Sequence, residues 1–330
     1  MRRHVVTGVF LVSTGAVVVL LCRAVHLLAH VVLANPLSFN STPANLPVKV
    51  REAVILAVHV RVPVKRDPVE RVAVTQLARA CGASFTTVAA NAVDEARRNV
   101  ESEQVVELEP FVVCENDARA PLSRADTETW LGNPGLTIVD ASRDEEREVL
   151  GHAFDVFSGI YGAAVKSRAL RLLAESDTLD RAWILEPDVA YTGDWNDFFK
   201  QYDEMYPDHD LIAVNSTNST GGAKWTHAKS CTLCADGEPW YTAFLPVFRV
   251  SKKLAKKLVD GLQGNLTGHH EAFIPTTCSR MPGCTWAPVE SAGVFRYRPV
   301  VGDVEATREK KPGRLFHPVK TAPAFRALVE

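Results

Sequence analysis

The 330-residue chain has no surplus of one charge: 37 Lys and Arg stand against 39 Asp and Glu, a formal net charge of −2. No basic stripe runs along it, which excludes nucleic acid as the expected partner. Internal repeats and low-complexity tracts are also lacking, which sets aside solenoids and disordered arrays. Cysteine is sparse, at seven residues, and Cys22 lies within an apolar stretch. The other six (Cys81, Cys114, Cys231, Cys234, Cys278 and Cys284) allow up to three disulfides in fifteen connectivities. Cys231-Thr-Leu-Cys234 also has the spacing of zinc ligands, with His227 and Cys278 or Cys284 to complete a site. An oxidising compartment favours the disulfides. His270-Glu271 does not extend to H-E-x-x-H, because Ile274 stands where the second His belongs, so a zincin is excluded.

Composition is otherwise that of a globular protein, 46% hydrophobic and 23% charged. The amino terminus is the exception. After Met1-Arg2-Arg3-His4, Val5 to Cys22 is an uncharged run of 18 residues, and a second apolar run spans Ala24 to Ala34. Such a run reaches the lower limit for a membrane-spanning helix and exceeds the usual core of a cleaved signal peptide. The basic tip favours a cytosolic amino terminus. The expected layout is a cytosolic tip at 1–4, a signal-anchor at 5–34, a stem at 35–50, an α/β lobe at 51–200 and an acceptor lobe with the C-terminal tail at 201–330. A cleaved signal peptide is the rival reading. N-x-S/T sequons at Asn40, Asn215, Asn218 and Asn265 agree with a lumenal glycoprotein.

Periodicity then gives the fold class. Ala53–Val60 and Ala182–Leu185 read as buried strands, as do Ser84–Ala90 and Leu136–Val139. Helices are expected from Asp67-Pro68 to Ala80, closed by Gly82, and over Tyr161–Glu175. The alternation predicts an α/β, mostly parallel sheet flanked by helices. Gln104–Cys114 fits it poorly and reads as an inserted hairpin. Asp210–Val214 reads as one more strand, 215–245 as a loop-rich acceptor pocket, and Ser251–Leu262 as an amphipathic helix.

The chemistry concentrates in Trp183-Ile-Leu-Glu-Pro-Asp-Val-Ala-Tyr191. The apolar strand ends in Glu186 and Asp188, whose i, i+2 spacing puts both carboxylates on one side. Open α/β sheets bind ligands at the carboxyl ends of such strands, and paired acids there hold a hard divalent cation. An acidic turn after a strand would carry the same pair without a function.

This pattern resembles a nucleotide-sugar-dependent glycosyltransferase of the Rossmann-like GT-A fold with the Golgi type II layout. The resemblance covers roughly residues 50–320 in layout and rests on short strings. It implies that Glu186-Pro-Asp188 replaces the usual Asp-x-Asp motif, with Asp188 as a metal ligand and Glu186 acting on the metal, through a metal-bound water or on the ribose. It implies Mn2+ or Mg2+ as cofactor, His317 in Leu315-Phe-His-Pro-Val-Lys320 as a third ligand, and Glu271 as the base of an inverting reaction. The donor is expected to be a nucleotide-sugar and the acceptor a glycan or glycoprotein hydroxyl, with a hexosyl or N-acetylhexosaminyl group transferred. Lys166 and Arg168 are expected to face the donor diphosphate. Trp225, Trp240, His269 and His270 are expected at the acceptor. Each also has a plainer role available, as core aromatic, surface histidine or solvated base. Two other functions fit the same residues: a non-catalytic glycan-binding or scaffold protein, and a glycoside hydrolase using Asp188 and Glu271.

Overall fold

Strand β4 (Arg181–Leu185) is buried along its whole length, and it organises the molecule. Its side chains alternate between two apolar layers. Trp183 and Leu185 enter one core with Phe198, Phe199, Tyr202 and Phe325. Ala182 and Ile184 enter another with Phe154, Phe157, Leu170 and Phe273. A strand apolar on both faces must be covered on both, as expected inside a parallel sheet.

The computed structural model describes residues 49–60, 105–116, 137–158, 164–218, 230–235, 237–289 and 295–330. All belong to one compact unit, Pro47–Glu330. The remaining strands of the main sheet are β1 (Lys49–Val60), β2 (Val105–Asn116), β3 (Thr137–Ala141), β6 (Leu211–Asn218), β7 (Tyr241–Ser251) and β8 (Trp286–Val289). Their order is β3-β2-β1-β4-β7-β6-β8. Only β7 runs antiparallel to its neighbours; the other pairings are parallel. The mostly parallel α/β sheet expected from the sequence is therefore present, and it joins strands from both sides of residue 200.

Two expectations are corrected. The described part of the hairpin expected from Gln104, residues 105–114, lies in β2, a single strand paired in parallel with β1 from Val105 to Asn116 and with β3 on its other side. The charges Glu107 and Glu109 and the central Pro110 concealed it. The stretch 215–245 is less loop-built than expected, since β6 runs on to Asn218 and pairs with the start of β7 at Tyr241. The helix predicted over 161–175 spans Ala164–Glu175, and the amphipathic helix spans Lys252–Gln263 with Ser251 as its N-cap. The anchor at 5–34, the helix at 67–80 and the strand at 84–90 lie outside the described residues. No described helix is long and apolar enough to cross a membrane.

A second, three-stranded sheet brings the C-terminal segment back to β4. It is ordered β5 (Ala190–Tyr191), β10 (Leu315–Val319), β9 (Phe295–Val301). β10 pairs antiparallel with β5 and parallel with β9, and the Val319 N–H donates to the Asp188 carbonyl at 2.9 Å. This places the tail directly over the turn that follows β4.

The opposite end of β4 is held by buried charge. Arg181 lies 2.8 Å from Asp203 and 3.3 Å from Glu52, and Arg249 lies 2.6 Å from Asp203. Burial, with the Asp203 carboxylate beside it, pushes the Glu52 pKa up to about 8. The Arg249 guanidinium also lies 5.9 Å over the Trp183 ring.

Candidate active site

The chain runs from β1 through β2 to β3 at one edge, then returns to the other side of β1 as β4. Strand order thus reverses between β1 and β4, the position where open α/β sheets form a ligand crevice at the carboxyl ends of their strands. Glu186 is the first residue beyond β4. A turn follows, with the Val189 N–H donating to the Glu186 carbonyl at 3.2 Å. The two acids share a side because of this turn and the strand end before it.

His317 stands between them. Its Nε2 is 3.0 Å from Glu186 Oε2 and 3.4 Å from Asp188 Oδ1. Lys166, on the first turn of the Ala164–Glu175 helix, donates to Glu186 Oε1 at 2.6 Å. Lys320, one residue beyond β10, donates to Asp188 Oδ2. The cluster therefore alternates acids and bases: Lys166, Glu186, His317, Asp188, Lys320. The tail supplies two of the five groups, which explains why β10 must dock on the β4 turn.

Electrostatics follow from this alternation. Burial alone would raise the carboxyl of Glu186, but Lys166 and His317 outweigh it and hold the group far below the usual carboxylate range. Burial also works against the Asp188 carboxylate, and it is overcome by His317 and Lys320. Burial would lower His317, yet hydrogen bonds to Asp188 and Glu186 push it up to about 9. Both acids are ionised near neutral pH, and His317 carries the proton between them.

The ligand atoms of Glu186, Asp188 and His317 all lie within 4.8 Å of one another. Two carboxylates and an imidazole suit Mn2+, and the carboxylates suit Mg2+. The donor set thus fits the expected cation, provided His317 gives up its proton and Lys320 moves off Asp188. Lys320 has room to move, its side chain being 59% exposed.

Other sequence candidates separate. Arg168 is not brought to the acids; it lies 3.8 Å from Glu175, beside a cluster in which Arg171 binds Glu146 at 2.6 Å. Residues two apart on a helix point in nearly opposite directions, so Lys166 and Arg168 cannot both face the site. Trp240 is buried with Cys231 and Ala272, which removes it as a stacking platform for a sugar. Trp225 and Asn40 lie outside the described residues. Asn215 and Asn218 fall on β6. Asn265 is exposed just after the Lys252–Gln263 helix, at a positive φ of 63°. His269 is the N-cap of the His270–Arg280 helix, its Nδ1 accepting from the Glu271 N–H at 3.3 Å. Glu271 occupies the first turn, with Oε2 3.9 Å from His269 Nδ1. His270 reaches Lys166 at 3.1 Å, and this ties the helix carrying Glu271 to the acid cluster.

Of the two readings of the cysteines, the favoured one, disulfides, is the one found. Cys231–Cys234 and Cys278–Cys284 are disulfides. The first closes a short 3-10 turn that is tied to the loop before Glu271 by reciprocal bonds between Thr232 and Thr267. Sequence reading missed the position of Lys320. Its only signal was closeness to His317.

No protein-family model matches the chain, and no curated protein matches its sequence. Among solved structures it is similar to mouse xyloside xylosyltransferase 1, at 13% identity and a TM-score of 0.45, over 82% of this chain and 97% of that one. It is also similar to an active-site mutant of LgtC, at 13% identity and a TM-score of 0.41, over 83% of this chain and 93% of that one. A third is the 4-diphosphocytidyl-2C-methyl-D-erythritol synthase of Anaerococcus prevotii, at 10% identity and a TM-score of 0.38, over 74% and 90%. By name the first is a xylosyltransferase, LgtC a galactosyltransferase and the third a synthase of a diphosphocytidyl compound. At such scores the likeness assigns no role to any residue of this chain.

Proposed function

We propose that this chain is a glycosyltransferase that moves a hexosyl or N-acetylhexosaminyl group from a nucleoside-diphosphate donor to a hydroxyl of a glycan or glycoprotein. The observation that carries the reading is the convergence of Glu186, Asp188 and His317 on one point, beside the reversal of strand order. A divalent cation bound there supplies Lewis-acid stabilisation of the charge on the departing nucleoside diphosphate.

The chain's own groups do the rest. Asp188 and Glu186, kept ionised by their neighbours, are the binding carboxylates. His317 completes the set as a neutral imidazole and fastens the tail over the donor. Lys166 directs positive charge to the same anionic group, and Lys320 leaves Asp188 for the diphosphate. Glu271 takes the proton from the acceptor hydroxyl in a single in-line displacement with inversion. Positioning and fixed charge account for most of the rate. The apolar, basic-tipped amino terminus supports a single-pass type II protein of the Golgi membrane with its catalytic domain in the lumen.

A thermal-shift screen of nucleotide-sugars against the purified protein, with and without Mn2+, tests this. A donor at 100 times its Kd stabilises the folded state by about 2.7 kcal/mol. One nucleotide-sugar that raises Tm only with Mn2+ is expected; a complete panel with no such response would refute the reading.

A further inference from the structure

The sequence placed His270 at the acceptor; in the structure its ring meets Phe157 and Lys166. The ring Nδ1 is 3.1 Å from the Phe157 carbonyl oxygen, and Nε2 is 3.1 Å from Lys166 Nζ. A carbonyl only accepts, so Nδ1 must carry the hydrogen and donate it. Nε2 is then a bare lone pair, and the Lys166 ammonium donates to it. The ring is fixed by its surroundings. Phe157 meets it edge-on at 5.9 Å, Phe273 meets Phe157 at 5.8 Å, and both phenylalanines are fully buried. Burial, then the charges of Lys166 and His269, holds His270 well below its ordinary pKa. The imidazole is neutral, as an acceptor must be.

Lys166 therefore has two acceptors, Glu186 Oε1 at 2.6 Å and His270 Nε2 at 3.1 Å. An ammonium has three N–H groups, so one remains to be offered to a ligand. The two acceptors differ in what a cation does to them. A cation on Glu186 would draw that carboxylate's charge and repel the ammonium beside it, whereas the neutral ring of His270 would be indifferent to it. The tie to His270 would then be the one kept when a cation binds.

We propose that His270 is a positioning residue for the donor side of the reaction. It holds the Lys166 ammonium at the edge of the acid cluster, so that the third N–H meets an anionic oxygen of a nucleoside diphosphate. This rests on the nucleotide-sugar reading of the site. It moves His270 from the acceptor to the donor, and it supplies a reason for the helix start carrying Glu271 to sit against Lys166: acceptor base and donor charge are set by one contact.

The test uses the wild-type protein and two substitutions. His270→Phe keeps an aromatic ring and removes both hydrogen-bonding atoms. His270→Gln keeps them, its amide N–H donating to Phe157 and its oxygen accepting from Lys166. Calorimetric titrations use UDP, GDP and CDP, each with Mn2+, and Mn2+ alone. For the nucleotide that wild type binds, His270→Phe is expected to weaken Kd about tenfold or more, the usual loss for a hydrogen bond to a charged group, while His270→Gln stays within about threefold. Affinity for Mn2+ alone should not weaken. In turnover, donor KM should rise in His270→Phe with acceptor KM unchanged. The Phe substitution should add little further loss in a Lys166→Met background, since both act through one group.

Equal nucleotide affinity in His270→Phe and wild type would overturn the proposal. So would a rise in acceptor KM alone, or losses that add fully with Lys166→Met. Where no nucleoside diphosphate binds wild type, the nucleotide reading fails and the proposal falls with it. If His270→Phe does not fold, imidazole 15N shifts of the wild-type protein decide instead. A neutral ring protonated at Nδ1 supports the proposal, and one protonated at Nε2 overturns it.

Discussion

Metal binding should release a proton from His317, and the structure sets its size. His317 Nε2 faces two carboxylates, which push its pKa up to about 9. A metal ligand must be neutral, so the cation competes with that proton. At pH 7 the competition weakens apparent affinity about 100-fold relative to the deprotonated site, ~2.7 kcal/mol at 1.36 kcal/mol per pH unit. Each unit of pH from 7 towards 9 should tighten Mn2+ binding about tenfold, with a plateau above. The carboxylates do not share in this dependence, because both titrate below their usual range. The effect on stability has the opposite sign. His317 titrates above its free value of 6.5, so the stability it adds to the metal-free protein is full below that pH and fades as pH rises through about 9. Calorimetry in buffers of different ionisation enthalpy measures both affinity and proton count. About one proton released per Mn2+ at pH 7 is expected, and His317→Gln should abolish both the release and the slope. A Kd independent of pH between 6.5 and 8.5 would refute the reasoning.

Three further predictions concern other parts of the molecule. Asp188→Ala should cut kcat/KM by roughly 10²–10³-fold or more, the scale for losing one element of charge stabilisation, with the cooperative melt retained; wild-type-like turnover would count against the site. Arg249→Leu takes the cation 2.6 Å from the buried Asp203 carboxylate, with Arg181 left beside it, and should cost about 1–3 kcal/mol in denaturant unfolding, while Mn2+ affinity in the folded protein is unchanged. At Gly268 an added Cβ would lie 3.1 Å from Cys231 Sγ and 3.3 Å from the Phe273 side chain. Gly268→Ala should therefore cost about 1–3 kcal/mol by overpacking, and reduction of the Cys231–Cys234 disulfide should lessen that penalty in a thermal melt.

The elements legible in the sequence were those whose cause is local. β4 is a run of apolar residues because both its faces are covered, and the Ala164–Glu175 helix shows its buried face at the helical period. Glu186 and Asp188 could be placed together because only a turn separates them. β2 failed as a single strand because its partners, not its composition, make it one; charged residues and Pro110 sit in a ladder supplied by β1 and β3. Lys320 and His270 were obscure for a related reason. Lys320 meets Asp188 across 132 positions of chain, and His270 meets Lys166 across 104. The only nearby hint for Lys320 is His317, and nothing near His270 in sequence announces its contact. Trp240 misled in the opposite way, since an aromatic beside a polar stretch looks available until Cys231 and Ala272 close over it.

The central claim is that Glu186, Asp188 and His317 bind one divalent cation that holds a nucleoside diphosphate. Its most direct measurement is an anomalous difference map at the manganese edge, from crystals grown at pH 8.5 with Mn2+ and the nucleotide that stabilises the protein. The account predicts a single strong peak within coordination distance of those three side chains, with Lys320 withdrawn from Asp188. Bound nucleotide with no peak there, or with the peak elsewhere, would contradict it.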